Sequence, residues 1–148
     1  MNKLGLSINT IEIPVSDLKL SVKWYVTMLG MVCHWSDDHH AVMSIDTDEE
    51  LHNNLAPKLL LVETNDNKQL GFICTYTNIS HSVLDLHTEN LFSTYTHIKT
   101  LLPSLAPIEP PANDWAPQGF NILDPDGNRI AIFSYNKTQV TDIGGLAT

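Results

Sequence analysis

Residues 11–31, IEIPVSDLKLSVKWYVTMLGM, decide the fold. The stretch opens inside a longer run, Ser7–Val15 (SINTIEIPV), which alternates, is rich in β-branched residues and reads as a strand. Ser16 or Asp17 then offers a side-chain oxygen suited to capping a helix. The helix itself, DLKLSVKWYVTML, places Leu18, Val22, Tyr25 and Leu29 at near-helical spacing. Gly30 follows where a left-handed residue commonly ends a helix.

Working toward the C-terminus, three strand candidates come next: MVCHW from Met31, AVMSID from Ala41 and KLLLVET from Lys58. The turn-rich stretches SDDHH and DTDEELHNNLAP separate them. That is β-α-β-β-β in about sixty residues. The order then repeats. HSVLDL from His81 reads as a strand, and Thr88 is placed to cap ENLFSTYTHIKTLL, whose Leu91, Tyr95, Ile98 and Leu102 form one apolar stripe. Pro103 stops it, and the Pro-rich stretch PSLAPIEPPANDWAPQ is expected to hold a short edge strand and a long loop. GFNIL, the turn DPDGN and RIAIFSY make a hairpin, with Pro125 fixing its own φ and Asp126-Gly127 suiting a tight turn.

Thr10 lies seven residues before Asp17, and His81 seven before Thr88. A shift near seventy relates the halves and carries Leu61 onto Ala131, the mark of an internal duplication. We therefore expect one domain spanning residues 1–148, of α+β class, made of two βαβββ modules. Module one covers about 7–64, a linker 65–78, module two 79–134, and a polar tail 135–148. Within the linker, GFICTY is apolar enough to form an additional strand with no assigned place.

Composition narrows the partners. At 148 residues and 43% apolar content the chain is of ordinary globular type, long enough for one compact domain. No apolar run reaches the about 18 residues that cross a bilayer, and no secretory signal is evident, so the expected address is cytoplasmic and away from membranes. The triplets at Asn78 and Asn136 match glycosylation acceptors but carry no meaning without secretion. Cys33 and Cys74 are expected as reduced apolar fillers. A formal charge of −9, with eight scattered basic residues, repels polyanions and argues against nucleic acid.

Val15, Asp17, Ser21, Trp24, Tyr25, Leu29 and Gly30 resemble the opening strand and helix of the vicinal oxygen chelate superfamily, which includes glyoxalases, bleomycin resistance proteins and extradiol dioxygenases. GFNILDPDGNRIAIFS is similar to the last hairpin of that family, and the resemblance covers residues 7–134. It implies paired βαβββ modules whose curved mixed sheets form a cup around one small-molecule site. In metal-dependent members four inward side chains hold a divalent ion, because a mostly hard octahedral cation wants N and O donors with open positions. Carried over by position, those sites fall on Thr10, Leu61, His81 and Ala131, of which only His81 is a good ligand. The usual metal quartet is thus expected to be missing, which counts against glyoxalase I activity.

Residues two apart on a strand share a face, so if Thr10 and Leu61 face the cleft, Glu12 and Glu63 do too. With His81 they form an alternative set for Fe, Mn, Ni, Co or Zn, or else polar groups that orient a ligand. Asp85 shares the His81 face of a regular strand. Trp115, in the Pro-rich loop with Gln118, either stacks on a planar ligand or anchors the loop. His39 and His40 are adjacent, point apart and suit a surface turn better than one ion. There is no Gly-rich phosphate loop and no serine-hydrolase elbow. The expected function is therefore small-molecule binding without a cofactor, with the bleomycin-resistance branch suggesting a homodimer. A lyase, isomerase or dioxygenase using a rearranged His/Glu metal site is the alternative.

Overall fold

The computed structural model describes residues 4–45 and 57–135. The chain divides into two compact units, Met1–Gln69 and Leu70–Thr148. The expected turn from Asp46 and most of the polar tail, residues 136–148, lie outside the described residues. No helix among the described residues is long and apolar enough to cross a membrane.

In the first unit β1 (Thr10–Val15) leads into α1 (Leu18–Leu29), followed by β2 (Val32–Ser36), β3 (His40–Ser44) and β4 (Lys58–Glu63). The sheet order is β1-β4-β3-β2, with β1 parallel to β4 and the other pairs antiparallel. Asp17 is the N-cap of α1, its Oδ1 accepting the Leu20 N–H at 3.0 Å. Gly30 ends the helix at φ 66, where a residue with a Cβ would be strained. Asn9 and Val15 turn their carbonyls toward β4, accepting from Lys58 and Thr64. Pro14 alternates to the side away from β4, so its missing N–H interrupts no bond of that ladder. Tyr25 and Met28 of α1 are buried, as are Ile13, Ala41, Met43 and Leu61 of the sheet. Fully burying Ile13, Met43 or Leu61 contributes roughly 1.5–3 kcal/mol each.

The second unit contains a hairpin of β5 (Phe72–Cys74) and β6 (Ile79–His81), then β7 (Leu84–His87), α2 (Leu91–Leu101), β8 (Gln118–Leu123) and β9 (Arg129–Ser134). Its main sheet runs β7-β9-β8, with β7 parallel and β8 antiparallel to β9. This repeats the β1-β4-β3 part of the first unit. The apolar GFICTY stretch supplies β5, and Asn78 at φ 59 turns the chain back into β6. The hairpin base is tied to the DPDGN turn. Leu70 N–H donates to Asn128 Oδ1 at 2.8 Å, and Arg129 N–H to the Leu70 carbonyl at 3.0 Å.

The structure departs from the sequence expectations at three places. HSVLDL is not one strand: His81 closes β6, β7 starts at Leu84, and Ser82 Oγ donates to Asp85 Oδ1 at 2.8 Å across the break. The cap of α2 is Asn90, whose Oδ1 accepts from Ser93 N–H at 3.0 Å, while Thr88 Oγ1 accepts from Asn90 N–H. The edge strand expected in the Pro-rich stretch does not form. Pro107, Pro110, Pro111 and Pro117 remove the N–H groups a ladder needs. Instead Leu105 and Ile108 are buried, and Gln118 Nε2 approaches the Glu109 carbonyl at 3.5 Å.

Candidate functional site

The two sheets each present a helix-covered face and an opposite face, and the register sorts the candidate residues between them. In the first unit Thr10 pairs with Lys58, Glu12 with Leu60 and Pro14 with Val62. Val42 pairs with Leu60, and Trp35 with Val42. These side chains form the face away from α1, half-buried and apolar at its middle, with Glu12 and Thr10 exposed at one side. His34 Nε2 and Ser44 Oγ meet at 2.7 Å near the bulge in β2. Leu61, by contrast, pairs with buried Ile13 and is itself fully buried on the helix side.

Thr10 and Leu61 therefore lie on opposite faces, and Glu12 and Glu63 do as well. The shift of seventy that carries Leu61 to Ala131 is one residue short. Burial matches Leu59 and Leu61 with Ile130 and Ile132, a shift of seventy-one, which brings Leu60 onto Ala131. Register then matches Glu12, beside Leu60, with Asp85, beside Ala131. Side chains alternate along a strand, so a one-residue slip exchanges every face.

Glu63 is occupied at the helix start. Its Oε2 accepts the Leu18 N–H at 2.8 Å, and Oε1 lies 3.2 Å from His39 Nδ1. The Leu18 N–H foremost, with the His39 ring, holds its carboxyl below the usual carboxylate range. A lowered carboxyl stabilises the fold fully above its unfolded value, about 4.3, and that contribution drains as pH falls through the folded value. We expect Glu63→Gln to lower the melting temperature at pH 7, with the gap from the parent closing as pH falls below about 4. Thermal melts from about pH 2 to about pH 7, spanning the ordinary carboxylate value of about 4.3, check this, and a gap that widens toward acid refutes it.

In the second unit the buried face carries Leu84, Phe120, Ile122, Ile130 and Ile132, with Tyr95 of α2 meeting Phe120 edge-on at 5.4 Å. The opposite face carries Asp85 and His87 of β7, Arg129, Ala131 and Phe133 of β9, and Gly119 and Asn121 of β8. Asp85 and Asn121 flank Ala131 on either side. The Phe133 ring lies 5.5 Å from His87 and 5.4 Å from Tyr135, both edge-to-face. His81 stands apart on the hairpin, stacked on Phe72 at 5.3 Å. Trp115 is 81% exposed, so it does not anchor its loop. Cys33 and Cys74 are both free thiols.

The model of the Glyoxalase/Bleomycin resistance protein/Dioxygenase superfamily matches residues 7–132. The chain belongs to that superfamily. No curated protein matches the sequence. Among solved structures it is similar to a superfamily member from Sphaerobacter thermophilus, 16% identical with TM-score 0.58, covering 88% of this chain and 98% of that one. It is equally similar to TnmS3, an antibiotic binding protein from a Streptomyces species, at 20% identity and TM-score 0.58, covering 88% and 97%. A lactoylglutathione lyase from Agrobacterium tumefaciens matches at 14% identity and TM-score 0.58, covering 89% and 96%. These likenesses show the fold, an α+β architecture with mixed sheets.

The metal of the superfamily's metal-dependent members does not fit the residues at the carried-over positions. Leu61 is buried against the helix side, and neither it nor Ala131 has a donor atom. Thr10 Oγ1 donates to Asn9 Oδ1 at 2.7 Å. Among the described residues no three His, Cys, Asp or Glu side chains group as a metal-binding set.

The faces away from the helices contain residues that sequence reasoning passed over: Leu60, Val42, Trp35, Asn121, His87, Phe133 and Arg129. The alternation Arg-Ile-Ala-Ile-Phe at 129–133 held the signal, since placing Ile130 and Ile132 in the core turns the other three outward.

Proposed function

We propose that this protein binds a small organic molecule on the face of the second unit's sheet turned away from α2, without the four-ligand metal site of its metal-dependent relatives. The supporting observation is the chemistry at the matched positions Leu60 and Ala131, where side chains can line a ligand but not coordinate an ion. Asp85 stands beside Ala131 as an orienting polar group, and Glu12 holds the matching place beside Leu60 in the first unit. Phe133, His87 and Tyr135 supply aromatic edges. Ligand sites are mostly apolar with few placed polar groups, which is this composition. That TnmS3 is an antibiotic binding protein adds support to the same class of role. The proposed role is ligand capture in a cytoplasmic setting with no cofactor and no nucleic acid, and the family resemblance suggests a homodimer.

The test is metal analysis of protein purified without a chelating tag. Fe, Mn, Ni, Co and Zn are expected well below one equivalent, and none of them raises the melting temperature, since only ligands of the folded state stabilise by mass action. A stoichiometric ion that disappears in His81→Ala overturns the proposal in favour of a metal-dependent lyase, isomerase or dioxygenase.

A further inference from the structure

Arg129 is the only arginine in the sequence. It opens β9 on the face of the second unit turned away from α2, beside Leu123 and two residues before Ala131. Its backbone N–H is satisfied by the Leu70 carbonyl. Its side chain is not. Nε is shielded from solvent and has no hydrogen-bond partner, and no carboxylate reaches the guanidinium within ion-pair distance among the described residues. The strands of this unit carry no other formal cation. A buried N–H on a permanently charged group is costly to leave unmatched, and the cost is removed when the side chain turns to meet an acceptor.

From this we propose that Arg129 recognises a carboxylate on the ligand, a proposal that rests on the binding-protein reading above. The planar guanidinium fork matches a carboxylate through two parallel N–H···O bonds. A single fork, with no other formal cation on the strands of this unit, suits a monoanion, whereas a phosphate dianion calls for more positive charge than these strands offer. Further along β9, past Ala131, lie Phe133 and the rings of His87 and Tyr135. The ligand class is accordingly an aromatic or otherwise apolar carboxylate, its charged end at Arg129 and its apolar part toward Phe133. The side chain of Asp85, next to Ala131, faces the same side and disfavours a second anionic group there. The net charge of −9 suggests a cationic ligand only if charge is averaged over the molecule. The local unmatched cation argues the opposite.

The lone arginine makes the test direct, because nitrogen-15 labelling of the full chain gives a single Arg Nε–H signal. That signal is expected to exchange slowly with water in the free protein. Benzoate should shift it together with the β9 amides, benzamide should bind about tenfold more weakly or worse, as loss of charge-assisted bonds predicts, and inorganic phosphate should leave it in place. Arg129→Gln should abolish the preference for benzoate, and Arg129→Lys should retain part of it. Equal binding of benzoate and benzamide on β9 overturns the carboxylate assignment and leaves small-molecule binding standing. A larger shift with phosphate than with benzoate also overturns it. If neither aromatic compound moves any amide of the second unit, both proposals fall.

Discussion

Gly119→Ala is expected to cost about 3 kcal/mol or more, a large part of the stability of a chain this size. Gly119 pairs with Phe133 where β8 crosses β9. A Cβ there would collide with the Ile132 carbonyl oxygen and lie 2.9 Å from the Phe133 Cα. Both obstacles are backbone in the central strand of a ladder, so neither can swing aside as a side chain would. Relief requires prising β8 from β9, which breaks the pairing that buries Phe120 and Ile122. Urea titration checks it: the midpoint should fall by about 1–3 M with an unchanged slope. A shift below about 0.5 kcal/mol, the usual surface effect, refutes the close approach.

Asn128→Ala should cost about 2–4 kcal/mol, because it strips partners from several buried groups at once. Asn128 is 1% exposed. Its Nδ2 donates to Asp124 Oδ2 at 2.7 Å, and its Oδ1 accepts the Leu70 N–H at 2.8 Å. Asp124 Oδ1 in turn accepts the N–H groups of Asp126 and Asn128, which shapes the turn. The alanine removes one donor from a buried carboxylate and the side-chain acceptor of the Leu70 N–H. Hydrogen exchange adds a discriminating readout: amides at Leu70 and in β5–β6 should lose more protection than those in β7. Uniform loss across the unit contradicts the hairpin anchor.

Much of this architecture is legible in the sequence where local signals agree. Asp17 and Gly30 give cap and stop as expected and the helix runs Leu18–Leu29, but its buried face is Leu18, Ser21, Tyr25 and Met28, with Val22 and Leu29 of the expected stripe only half-buried. Gln118–Leu123 and Arg129–Ser134 form the hairpin that DPDGN announces. Legibility fails where the deciding partner is distant in sequence. Thr88 and Asn90 both have capping side chains, and only the backbone path makes Asn90 the cap. The break at Ser82 and Val83 has no glycine or proline to mark it. The site suffered most from parity. Leu60 and Leu61 are chemically identical, and nothing within KLLLVE says which faces the helix. Once Leu61 is placed with Ile13, Glu63 moves from the ligand face to the start of α1.

Arg129 also makes the molecule its own unfolding gauge. An arginine-specific protease has one peptide bond to cut, after the first residue of β9, the central strand of its sheet. A protease needs several residues extended in its cleft, so that bond opens only when β7-β9-β8 comes apart. The rate of single cleavage therefore reports the open fraction of the second unit when reclosing is fast. Any molecule seated on Arg129 should slow the cut in proportion to its occupancy.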